Sequence, residues 1–177
     1  MTIQLGVFGA LGILTTAWAV LANRRLFTGG TVGRPSSLEA VYYVVGVVSL
    51  CSGWYCNVRY THHAANASYW SYTRALFDNW AAASAAQDYT VVNLVLLPLW
   101  TIVDGRRRGL AIPWIFFVMS LFTSLACSMA LYLAFVERQV RYDAAVGDDG
   151  APSPKTTTTA PSPATSGTTK PEPVASP

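Results

Sequence analysis

Apolar positions in this chain gather into four long blocks separated by polar turns, not into the short periodic stripes of a soluble core. The first, Ile3 to Ala22, would make about 30 Å of helix, enough to cross a bilayer. Its charges follow it, as Asn23-Arg24-Arg25, and none precede it. A signal peptide carries its charge in front, so an uncleaved anchor is predicted despite the small-x-small Ala17-Trp18-Ala19. Thr28-Gly29-Gly30 and Gly33-Arg34-Pro35 then break the chain. Ser36 or Ser37 caps a second helix from Leu38 to Tyr60, with Glu39 in its first turn. Tyr42, Tyr43, Trp54 and Tyr55 supply aromatic belts near its two ends.

The stretch Thr61 to Ser84 is polar yet holds Tyr69, Trp70, Tyr72, Phe77 and Trp80, which suits a segment lying at headgroup level. Asn66-Ala67-Ser68 has the N-glycosylation pattern. A third helix is predicted from Ala82 to Asp104, kinked at Pro98, and a fourth from Ile112 to Val136 with Pro113 in its first turn. The expected fold class is an all-α integral membrane protein with four transmembrane helices and a disordered C-terminal tail. Residues 1–37 form an extra N-terminal span and loop, 38–142 a three-helix membrane domain, and 143–177 the tail.

Composition sharpens that division. Hydrophobic residues make up 52% of the chain and charged residues only 12%, so a soluble globular enzyme is excluded. From Gly150 onward, 22 of 28 positions are Pro, Thr, Ser or Ala. Such a segment has nothing to pack and resembles mucin-like stalks. The net charge of +3 matters through its placement. Arg24, Arg25 and Arg34 lie between helices one and two, and Arg106, Arg107 and Arg108 between three and four, whereas the middle loop has Arg59 and Arg74. The positive-inside rule puts both short loops in the cytoplasm and, with four spans, both termini outside; Arg138 and Arg141 pull the other way. No basic run in a polar context points to nucleic acid. Cys51, Cys56 and Cys127 form no disulfide framework and are expected as buried small hydrophobes.

Chemistry is sparse. No phosphate loop, zinc signature or nucleophile motif occurs, and no cofactor is implied. His62-His63 has no ligand-spaced neighbour; a membrane enzyme would need Asp88, His62 and His63 to converge. Ser120, Ser124 and Ser128, spaced by four, would share one face of helix four and serve helix packing. Asn93 lies about 16 Å above Asp104, near mid-membrane. Asp88, Asn57 and Arg59 fall at a common height near the outer boundary, so Asp88 is expected to face helix two and bond Asn57, Arg59 or both.

Between Val41 and Arg141 the motifs resemble a family of small bacterial membrane proteins, domain of unknown function 2834. They are Gly53-Trp54-Tyr55-Cys56-Asn57-Val58, Phe77-Asp78-Asn79, Asp88, the Asp104-Gly105-Arg106-Arg107-Arg108-Gly109 turn, Leu131-Tyr132-Leu133 and Glu137-Arg138. Asp104 stands where the family usually has Glu. The resemblance implies an integral membrane protein and no established activity. The small-residue faces of helices one and four favour a non-enzymatic component of a membrane assembly, whose partners are the lipid bilayer and a second copy or larger complex. The alternative is a small transporter or channel subunit using Asn93 and the serines.

Overall fold

The computed structural model describes residues 2–28, 32–64 and 68–150, and every described element is helical. Helix α1 (Thr2–Ala22) stops at Asn23, and a 3-10 turn at Arg24–Leu26 carries the chain aside. Asn23 is fully buried, and its side chain makes the stop. Nδ2 donates to the Ala19 and Ala111 carbonyls, both at 3.0 Å, and Oδ1 accepts the Ala111 N–H at 2.8 Å. One carboxamide thus closes a helix end and ties it to a distant loop.

Helix α2 (Ser37–His63) begins where expected, with Ser36 Oγ accepting the Glu39 N–H at 3.1 Å. The aromatic-rich segment contains a short helix, α3 (Tyr69–Ala75), whose Tyr72 meets Tyr60 of α2 edge-on. Helix α4 (Trp80–Val91) is capped by Asn79, whose side chain accepts the Ala82 N–H. It runs through one π turn (Val92–Leu96) into α5 (Leu97–Arg107). Pro98 explains that turn. Its ring has no N–H and crowds the carbonyl four residues back, so the preceding turn widens and the Leu97 N–H reaches Val92 O instead. α5 ends at Gly109 (φ +72°), with Leu110 N–H bonded to Gly105 O and Gly109 N–H to Arg106 O. This is a Schellman stop, which places the residue after the cap in the left-handed region that glycine tolerates.

The fourth block does not form one long helix. It splits into α6 (Ile115–Ser120) and α7 (Leu125–Gly150), joined by a turn at 121–124. Three helical stretches are long and apolar enough to cross a membrane: Ile3–Ala22, Ser37–His63 and Trp80–Arg107. Four were expected. Ser124 marks the break, because its hydroxyl caps the start of a new helix. Thr123 Oγ1 donates to Met119 O at 2.9 Å, and Ser124 Oγ accepts the Cys127 N–H at 3.0 Å, capping a new helix.

α7 then folds back on α6. Phe116 packs edge-on against Tyr132 and Phe135, each 5.3 Å away, and Ser128 Oγ donates to Phe116 O. α1 runs alongside α6, with Thr16 against Met119 and Phe8 against Phe122. α2 lies antiparallel to α7, with Gly46 beside Ala130 and Gly53 beside Ser124. The α6–α7 pair is therefore a helical hairpin whose two arms start and finish at one end of the bundle. Its tip sits level with Gly12, some 16 Å from Asn23 along α1. The core gathers below it, around Leu26, Ile115, Phe116, Met119 and Tyr132. α7 continues as helix through 143–150, eight residues into the expected tail. Residues 151–177, most of the loop glycines and the Asn66 motif lie outside the described residues.

Candidate functional site

The densest polar chemistry lies at the end where the hairpin enters, and it centres on Glu39. This carboxylate is fully buried. Arg138 Nη1 donates to Oε1 at 2.8 Å, Arg141 Nη1 to Oε2 at 3.0 Å, and the Tyr43 hydroxyl to Oε1 at 3.1 Å. Both arginines have further acceptors. Arg138 Nε reaches Leu26 O at 2.6 Å with its guanidinium over the Phe27 ring, and Arg141 Nη2 reaches Val32 O and Arg34 O, each at 2.7 Å. Ser36 Oγ donates to Glu137 at 3.0 Å. One carboxylate thus gathers the start of α2, the loop after α1 and the outer half of α7. Both carboxylate oxygens accept charge-assisted bonds from elements far apart in the chain, so the cluster ties the fold together at this end.

A second contact closes the same end from the other side. The Tyr132 hydroxyl donates to Asp104 Oδ2 at 2.7 Å, and Arg108 Nε donates to the same oxygen at 2.7 Å. Gly105 lets α5 approach closely, since a Cβ there would stand 2.5 Å from Pro113 Cβ. Arg25 Nη2 bonds Gly109 O and the buried Gln139.

Deeper in the bundle, Asn93 sits in the π turn at 5% exposure, and its Oδ1 lies 2.7 Å from Ser120 Oγ. Ser120 Oγ is also 2.7 Å from Phe117 O, so its one proton serves one acceptor at a time. Asn93 Nδ2 donates to the Tyr89 hydroxyl at 3.3 Å. The three serines do not share one helix face. Ser120 ends α6, Ser124 caps α7, and Ser128 ties α7 to α6. Backbone groups freed by a buried turn need partners within the protein, and these hydroxyls supply some of them.

The expected cluster of Asn57, Arg59 and Asp88 does not form. Asp88 is exposed, and among the described residues no hydrogen bond or ion pair joins it to Asn57 or Arg59. The reason is topological: α2 packs along α7 and not along α4, so these two helices do not bring their polar groups together. His62 and His63 are exposed, and His63 Nδ1 lies 2.8 Å from the Arg59 carbonyl of its own helix. Cys127 is buried, but Cys51 and Cys56 are exposed on α2, contrary to expectation.

The sequence pattern placed Glu39 in the first turn of α2 and missed its partners. Two signals could have found them. Glu39 is the only carboxylate before Asp78, and Arg138 and Arg141 are three apart, on one helix face.

The family model described as "Protein of unknown function DUF2834" matches residues 41–138, and the chain belongs to that family. The match takes in Tyr43, Asp104, Tyr132 and Arg138, and stops short of Glu39 and Arg141. No curated protein and no solved structure matches the chain.

Proposed function

We propose that this family member is a non-enzymatic, multi-pass component of a membrane assembly, joined to its neighbour through α4. The supporting observation is that helix itself. It carries Ala81, Ala82, Ala83, Ser84, Ala85 and Ala86, then Gln87 and Asp88, and it packs chiefly against its own continuation. Trp80 at its start is 93% exposed. In hydrocarbon, helices associate through small residues that admit close approach and through polar groups that find partners. An open helix half with both features suits another helix. The small-residue face of α1 is taken up internally, with Gly9 under Trp54 and Gly12 against Thr123. The transporter alternative would need Asn93 and Ser124 open to water. Their pairing with Ser120 and with the Cys127 N–H supports assembly instead.

Orientation belongs to the same reading. Arg24, Arg25, Arg34, Arg106, Arg107, Arg108, Arg138 and Arg141 share one end of the bundle, and Arg59 and Arg74 lie toward the other. The positive-inside rule assigns the first end to the cytoplasm. With a hairpin in place of a fourth span, the Thr2 end of α1 is outside and the Gly150 end of α7 inside, replacing the expectation of two outside termini. Arg138 and Arg141 then agree with the rule.

A photo-crosslinker at Ser84, in intact membranes, tests the assembly. A discrete adduct is expected there and not from the same group at Val48, an exposed position of α2. No adduct at Ser84, or equal adducts at both positions, overturns the reading. In a cysteine-free background, Val146→Cys should be labelled from the same side as Arg106→Cys. Labelling from opposite sides would refute the orientation.

A further inference from the structure

The hairpin leaves a groove along the outside of the molecule between α5 and α7. Leu96, Trp100 and Val103 form one wall, and Leu125, Ala126 and Met129 the other; the groove encloses about 780 Å³. That is within the range of ligand-sized clefts, about 300–1,000 Å³. From Val92 to Asp104 it extends about 18 Å by helix rise, close to the half of a ~30 Å hydrocarbon core that one leaflet occupies. Its polar lining is confined to the basic end, at Asp104 and Arg107.

The charges at that mouth do not balance. Asp104 is held by Arg108 and by the Tyr132 hydroxyl. Arg106 and Arg107 are exposed, and neither has a hydrogen bond or ion pair among the described residues. The mouth therefore offers Arg107, with Arg106 next to it in the chain, at headgroup level above an apolar slot one leaflet deep. We infer that the groove binds one anionic phospholipid, with an acyl chain between Trp100 and Ala126 and the phosphate against Arg107. A partner helix is the poorer occupant, because it would need a surface as long as the full span and no cationic stop. A zwitterionic lipid would leave the arginines facing its own positive group.

The test uses the whole chain in mild detergent, with phosphatidylglycerol and phosphatidylcholine of identical acyl chains, read by native mass spectrometry. One phosphatidylglycerol should be retained in preference to phosphatidylcholine. Arg107→Ala should weaken its retention about five-fold, the effect of one basic residue near an anionic surface. Ala126→Trp, which fills the slot, should abolish the preference with Arg107 intact. Circular dichroism and lipid-free melting should be unchanged in both variants, since Arg107 is exposed and Ala126 lines an open groove. Equal retention of the two lipids overturns the proposal. So does a loss with Arg107→Ala but none with Ala126→Trp, which would make the site a surface charge without a groove.

Discussion

The two ends of this bundle are built on different terms. At the basic end, side chains far apart in sequence meet across elements: Glu39 with Arg138 and Arg141, Asn23 with Ala111, Asp104 with Tyr132. At the opposite end, around α3 and α4, Ser68 and Asn79 form local caps, and Trp70 and Trp80 are exposed. The difference follows from the hairpin. The hairpin turns back at 121–124, level with Gly12 and Gly53, so its packing serves the basic end, where its two arms are fastened, more than α4. The fastening is polar because the apolar surfaces of α1, α2 and α5 have no preference between α7 and lipid. The bundle is thus closed where it is charged and open where it is small and aromatic.

The largest expected effect breaks the closed end. Glu39→Gln keeps the shape but leaves Arg138 and Arg141 without a counter-charge, and removing one partner of a buried ion pair costs about 3–5 kcal/mol. Melting in mild detergent should show the loss as a lowered midpoint, and an unchanged midpoint would show that the cluster does not hold the fold. The arginines should differ in the same assay. Arg138, 11% exposed at its side chain, should cost more to neutralise than Arg141, at 29%. Next comes Gly105→Ala, which drives a methyl into the rigid Pro113 ring and should cost about 1–3 kcal/mol as overpacking. The same substitution at Gly6, where nothing lies within 4 Å, should leave the midpoint in place.

A smaller effect sharpens the account of the hairpin itself. Ser124→Ala removes the cap that starts α7 and should cost about 1 kcal/mol. Were 112–136 one continuous helix, Ser124 would sit mid-helix and alanine would instead be neutral or stabilising, since it is the better helix former. The sign of the melting shift therefore decides between hairpin and span.

What the residue pattern could and could not reveal follows the same division. Local signals carried the three long helices, the Ser36 cap, the aromatic segment and the disturbance at Pro98, because hydropathy blocks, caps and proline act within a turn or two. The hairpin was hidden because the apolar run from Ile112 to Val136 has the length of a span. Spacing of four among Ser120, Ser124 and Ser128 imitates a helical face even where the helix is broken. The cluster Thr123-Ser124 and the charges from Glu137 onward were the available hints. The Glu39 lock was hidden for another reason, since its partners lie about a hundred residues away and no local rule connects them. The mistaken Asp88 contact came from treating α2 and α4 as spatial neighbours, whereas α2 packs along α7.

Asp88 gives the finest test of the contrast. On α4 it is exposed and makes no ion pair among the described residues, so no described group is paired with its charge. Asp88→Asn should therefore leave the midpoint of the detergent-solubilised monomer within about 0.5 kcal/mol, as for surface positions in general. The same variant in the membrane is a different experiment. If α4 is where a neighbour docks, a carboxylate near the outer boundary is one of the groups that neighbour must satisfy, and the Ser84 adduct should weaken while the monomer stays as stable as before. A fall in monomer stability would mean that α4 is held from within, making the open end as closed as the basic one. An unchanged monomer with an unchanged adduct would leave α4 open but assign its recognition to the alanines and Gln87, with the charge pointing to water.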